Sequence, residues 1–148
     1  MTDATLNGPG YRTYPDLTYT AAMPEFADLE ALRFHRKWEA CIGYRIFAAL
    51  RWGQLGDGHI SARDPIYTDH FWVLAHGVPF GAATVDQLVL VDPEGRVVHD
   101  GASTQYERAD HGINTAAYNI HGPILAANPS VVSAAHTHTP FGTPWSAN

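Results

Sequence analysis

A chain of 148 residues with 45% apolar and 16% charged side chains can bury one core but is too short for two of ordinary size. Nine Lys and Arg against fifteen Asp and Glu give a net charge of −6, and no basic run tracks a phosphate backbone, which argues against a nucleic-acid partner. No apolar stretch approaches the roughly 20 residues of a membrane span, Met1-Thr2-Asp3-Ala4 is unlike a signal peptide, and the single Cys41 cannot form an internal disulfide. Together these predict a cytoplasmic protein with no membrane partner.

Residues 1–24, with Gly8-Pro9-Gly10, Pro15 and Pro24, predict an extended arm ahead of a domain over 25–148. From Glu25 to Trp52 there is no proline, and Phe26, Leu29, Leu32, Cys41, Tyr44, Phe47 and Ala48 recur at helical steps, with Gly43 as the expected point of division. Cys41 lies on that apolar face with no adjacent cation, so it reads as a buried, inert thiol. Gly53, Gly56 and Gly58 end the helix and lead into a short strand over 59–62. Phe71-Trp72-Val73-Leu74 predicts a strand that stops at the loop His76-Gly77. Leu88–Val91, the turn Asp92-Pro93-Glu94-Gly95 and residues 96–98 predict a hairpin with a type I turn. Residues 115–127 have helical spacing, with a kink expected at Gly122-Pro123 and a stop at Asn128-Pro129. Residues 131–135 then predict a strand, and Thr139-Pro140 a helix start. The order predicts an α/β fold in which helices pack on a mixed sheet. A helix start only eight residues before Asn148 suggests a domain incomplete at its C-terminus and a native mass above 16.2 kDa.

Nine histidines equal the whole Lys and Arg count, and imidazole is a common metal ligand and the usual acid or base near neutrality. In His136-Thr137-His138 a strand places both rings on one face, where they can converge on an ion; two solvated or backbone-paired histidines would show the same spacing. A catalytic zinc or iron site usually needs a third protein ligand, which the pair does not supply. Gly56-Asp57-Gly58-His59-Ile60-Ser61 permits close backbone approach to an anion, with His59 or Ser61 as donor, but also reads as a plain helix-to-strand turn. His76-Gly77 either lines the same pocket or only shapes its loop. His121 and Tyr118 share a predicted helix that can reach the site, or they only fill space and bind backbone. His35, His70, His99 and His111 are assigned no role.

Three ordered stretches make the pattern specific: Gly58-His59-Ile60-Ser61-Ala62-Arg63-Asp64-Pro65, Phe71-Trp72-Val73 with Gly77-Val78-Pro79-Phe80-Gly81, and Asp86 to Asp92. With Asn114 to His121, Asn128-Pro129 and Ala134-Ala135-His136-Thr137-His138-Thr139-Pro140-Phe141-Gly142, the chain resembles the class II aldolase/adducin family over most of residues 28–148. The resemblance implies a three-layer α/β/α fold with a central, mainly antiparallel sheet, and a homotetramer with sites at subunit interfaces. It implies His136 and His138 as the first two ligands of a divalent metal, usually Zn2+, with Fe2+ or Mn2+ as alternatives. In the family's aldolases that metal acts as a Lewis acid in C–C cleavage.

The family's phosphate-binding turns fall on Gly58-His59 and His76-Gly77, its serine pair on Thr115-Ala116, its acid–base Glu on Ala117, and its third metal ligand beyond Asn148. An alanine cannot transfer a proton. These departures resemble an adducin-like bacterial and fungal subgroup that includes decarboxylases, nonheme iron oxygenases of secondary metabolism and proteins without assigned reactions. The expectation is a metal-dependent lyase-like enzyme acting on a small oxygenated, anionic substrate. His136 and His138 hold the metal, Gly58, His59, Ser61, His76 and Gly77 bind substrate, and His121 or Tyr118 transfers protons. The alternatives are a non-catalytic adducin-like assembly module and an iron oxygenase.

Overall fold

The computed structural model describes residues 25–98 and 112–146; the expected arm over 1–24, His99 and His111 lie outside them. Helix α1 (Leu29–Leu50) begins where the Asp28 carboxylate accepts from the Ala31 amide and ends at Arg51, whose left-handed φ of 58° returns its N–H to the Ala48 carbonyl. It runs through Gly43 without the expected division. A Cβ at Gly43 would stand 2.7 Å from Ile60 Cδ1, so the glycine serves close packing of the helix on the sheet.

Five strands follow: β1 (Gly58–Arg63), β2 (Phe71–Leu74), β3 (Leu88–Val91), β4 (Val97–Val98) and β5 (Ser133–Thr137), in the spatial order β4-β3-β2-β1-β5. Every pairing among them is antiparallel, so the mixed sheet expected from element order is corrected: no crossover helix returns a strand in parallel here. β4 follows β3 through the expected turn. Gly95 takes φ +80° and donates to the Asp92 carbonyl, while the Asp92 carboxylate accepts from the Glu94 and Arg96 amides. The last strand lies two residues later than the apolar run 131–135 suggested, because its partners on β1 pair with Ser133–Thr137. Helix α2 (Thr115–Ala127) is a single helix despite Gly122-Pro123, and the short α3 (Thr143–Ser146) follows β5.

α1 packs on β1 and β2, and α2 packs on β1 and β5 from the opposite face, in the expected three layers. β1 is buried along its whole length, so its polar–apolar alternation over His59–Arg63 separates two covered faces and not core from solvent. On one face Ile60 meets α1; on the other His59 and Ser61 meet His121 of α2. Beyond Ser61, the Arg63 guanidinium donates to the carbonyls of Leu125, Asn128 and Val131, satisfying the C-terminal end of α2 and fixing it against β1. Cys41 is buried, and burial pushes its thiol up to about 11, in line with the inert reading.

The polar core is anchored at Asp64, which is fully buried and accepts from Arg33 Nε and Nη2 at 2.7 and 3.0 Å, from Trp72 Nε1 at 2.6 Å, and from the Ile66 and Tyr67 amides. Burial disfavours its charge, but the hydrogen bonds from Arg33, Tyr67, Trp72 and Ile66 outweigh that and hold the carboxyl below its usual range. Asp64→Asn removes the buried counter-charge of Arg33 and leaves it the exposed Glu30 at 3.2 Å, and a loss of about 3–5 kcal/mol is expected in urea unfolding; a loss below about 1 kcal/mol would show that the pair is not buried as described.

A four-histidine candidate site

The register of β1 on β5 sets Gly58 opposite Thr137 and His59 opposite His136. Side chains directly opposite share a face, and the His59 and His136 rings lie nearly parallel with centroids 4.9 Å apart. His138, two residues on, returns to that face just past the end of the strand. Its Nε2 lies 2.9 Å from His136 Nε2, as expected from the His-x-His spacing. From below, α2 brings His121 Nε2 to 3.0 Å from His59 Nδ1, and His121 Nδ1 lies 2.8 Å from Ser61 Oγ. Four of the nine histidines therefore form one contiguous cluster. A Cβ at Gly58 would stand 2.9 Å from the His136 carbonyl oxygen, so this position admits only glycine without moving β5.

Depth divides the cluster. His59 and His121 are 2% and 1% exposed, whereas His136 is half-buried and His138 exposed. Burial lowers His59 and His121 to about 4, with His136 and His138 adding to the effect at His59, and His59 and His136 adding to it at His121. Both inner rings are neutral at pH 7. Where β1 and β2 part at Ile60, the Tyr44 hydroxyl donates to the Ile60 carbonyl and accepts from its amide. A cavity of about 20 Å³ opens there between Gly56, Gly58, His59, His76, Gly77 and Asn114, room for about one water.

The expected site residues divide accordingly. Gly58, His59, His76 and Gly77 line one cavity, with Gly77 at φ +88°, and His121 joins the cluster. Ser61 is fully buried and reaches His121 rather than open space. Tyr118 faces elsewhere: its hydroxyl donates to the Pro93 carbonyl at 2.9 Å, and its ring lies against Gly95 and Gly122. It lines a second, mainly apolar cavity of about 890 Å³ with Leu29, Leu32, Arg63, Leu125 and Val132, which the sequence did not signal because its walls come from five separate segments. Ala117 is fully buried one helical turn before His121. Among the described residues, no third His, Cys, Asp or Glu joins His136 and His138 in a group placed to hold a metal.

Two expectations follow. In metal-free protein the unfolded chain takes up protons at His59 and His121 below about pH 6.5, whereas the folded state resists them until about pH 4. Stability therefore falls with pH between those values, by up to about 1.4 kcal/mol per pH unit for each ring. His121→Gln is expected to flatten that slope in urea titrations at stepped pH, and an unchanged slope would contradict it. Gly58→Ala is expected to lose about 1–3 kcal/mol through overpacking against β5, measured the same way.

Comparison with known proteins accords with this geometry. The chain is 33% identical over 150 residues to the Decarboxylase NovR of Streptomyces niveus, covering 99% of this chain and 50% of that protein. It is 34% identical over 152 residues to the 4-hydroxy-3-prenylphenylpyruvate oxygenase/4-hydroxy-3-prenylbenzoate synthase of Streptomyces roseochromogenus subsp. oscitans, covering 99% and 48%. Among solved structures, the L-fuculose 1-phosphate aldolase from Glaciozyma antarctica PI12 superposes with a TM-score of 0.75 at 35% identity, covering 84% of this chain and 48% of that one. The chain thus spans about half the length of these relatives. The profile of the Class II Aldolase and Adducin N-terminal domain matches residues 39–148, and the chain belongs to the class II aldolase and adducin family.

Proposed function

We propose that this chain carries the metal-binding histidine pair of a divalent-metal-dependent carbon–carbon lyase, one that performs aldol-type cleavage or decarboxylation on a small oxygenated, anionic substrate. The observation that carries the reading is the convergence of His136 Nε2 and His138 Nε2 to 2.9 Å on the face shared with His59. Imidazole nitrogens converging from one face are a usual donor set for a divalent ion, and His136 and His138 would hold it. Zn2+ is the first candidate and Fe2+ or Mn2+ the alternatives. When bound, such an ion polarises substrate oxygens and stabilises negative charge developing on them.

His136 and His138 are two ligands of the usual three, and the third comes from outside the described residues. Gly58, His59, His76 and Gly77 surround the anion end of the site. Ser61 acts there only through His121, and His121 and His59 take the place of the acid–base carboxylate that Ala117 does not provide. Tyr118, bound to Pro93, has no part in this reading. Assembly as a homotetramer and a cytoplasmic location belong to the same proposal; among the described residues no helix is long and apolar enough to cross a membrane. The relative described as an oxygenase is the reason to include Fe2+ among the metals tested. The buried Ala117 and the two-ligand set favour a second reading, a non-catalytic adducin-like assembly module.

Elemental analysis of the protein purified without added metal tests the proposal. About one zinc or iron per chain is expected, lost in the His136→Ala His138→Ala double variant. No metal in either sample would remove the lyase reading and leave the assembly module.

A further inference from the structure

The hydrogen-bonded chain Ser61–His121–His59 has two possible directions of donation, and the burial of its inner end decides between them. Ser61 Oγ is completely buried, and among the described residues its hydroxyl has one hydrogen-bond partner, His121 Nδ1 at 2.8 Å. The Ser61 carbonyl is engaged separately, by Ser133 Oγ at 2.7 Å. If His121 Nδ1 carried a proton and donated to Ser61, the serine O–H would be left with no acceptor in a dry interior, at the full desolvation cost of an unmade bond. If Ser61 donates, the leftover donor moves to the other end of the chain: His121 Nδ1 accepts, His121 Nε2–H donates to His59 Nδ1, and the remaining proton sits on Nε2 of His59, whose ring lines the cavity with room for about one water, so that no donor is stranded at Ser61.

We infer that Ser61 is the positioning residue of this site. Acting through His121, it fixes the tautomer of His59, so that the free His59 nitrogen is an N–H donor and not a lone pair. The consequence is specific. The Nε2 of His59 stands ready for an acceptor oxygen of an anionic or carbonyl-bearing substrate and is closed to metal, although its ring stacks on His136. The metal and substrate-oxygen roles are thereby divided between adjacent rings: the converging nitrogens of His136 and His138 serve the metal, and His59 offers a proton. This substrate role rests on the lyase reading above; the proton positions do not.

The test is a long-range proton–nitrogen correlation spectrum of the full chain labelled with nitrogen-15 in its histidine rings, stripped of metal with a chelator, at neutral pH. His121 and His59 are both expected to show a protonated Nε2 and an unprotonated Nδ1. A protonated Nδ1 on either ring overturns the inference. Ser61→Thr keeps the hydroxyl and is expected to keep the pattern, whereas Ser61→Ala is expected to turn one tautomer of His121 into a mixture. An unchanged single tautomer in a folded Ser61→Ala protein would also overturn it, and if that variant does not fold, the wild-type spectrum decides alone. Added Zn2+ is expected to shift His136 and His138 while the His59 Nε2–H persists, and loss of that proton on zinc addition would defeat the assignment. Zinc that fails to bind at all counts against the lyase reading, while the metal-free spectrum still decides the tautomers.

Discussion

The histidine site depends on one constraint, the antiparallel register in which His59 pairs with His136. A slip of one residue would set Thr137 opposite His59 and turn His136 and His138 to the α1 face, because side chains alternate along a strand. The register is held from several directions. Gly58 lets the His136 carbonyl approach to a distance no Cβ would allow, Ser133 Oγ donates to the Ser61 carbonyl, and Thr137 Oγ1 donates to the Trp52 carbonyl. The glycine that reads as a turn residue in the sequence is thus also a spacer between two strands, and the geometry of the rings follows from it.

The two ends of β1 deal with buried polarity differently. At its C-terminal end Asp64 keeps its charge because five donors converge on it, among them the Arg33 guanidinium. Near its start, His59 and His121 have no counter-charge among their partners and stay neutral instead. The first solution makes a rigid anchor. The second leaves groups whose hydrogen-bonding direction is set by neighbours and whose outermost member can still engage something that arrives. Stability and chemistry are thereby placed at opposite ends of a single strand, with Arg63 capping α2 between them so that His121 is held at the correct height.

Much of this was legible in the sequence where a local pattern had a local cause. The hairpin at Asp92–Gly95 followed from turn chemistry, and the His136–His138 pair from strand period. Gly43 misled because helix propensity is local while packing is not: α1 keeps its glycine to approach Ile60, while α2 carries Pro123 inside a helix held at its far end by Arg63. Tyr118 and His121 looked interchangeable as proton carriers because both fall on one helix. Three residues of a 3.6-residue turn still separate them by about 60° around the axis, enough to send one side chain to Pro93 and the other beneath β1.

The buried Ala117 is best understood with His121, one turn along the same face of α2. Ala117 is fully buried, so a carboxylate there would need buried donors to keep its charge. A histidine at 121 meets the same burial with a neutral ring, and it can still pass hydrogen-bond direction from Ser61 to His59. An imidazole at position 59 on the strand completes the chain, since it accepts at one nitrogen and presents the other. The histidine at the glycine turn, the serine two residues on and the histidine of α2 are one hydrogen-bonded unit, and the direction in which it carries its protons is set at its buried end.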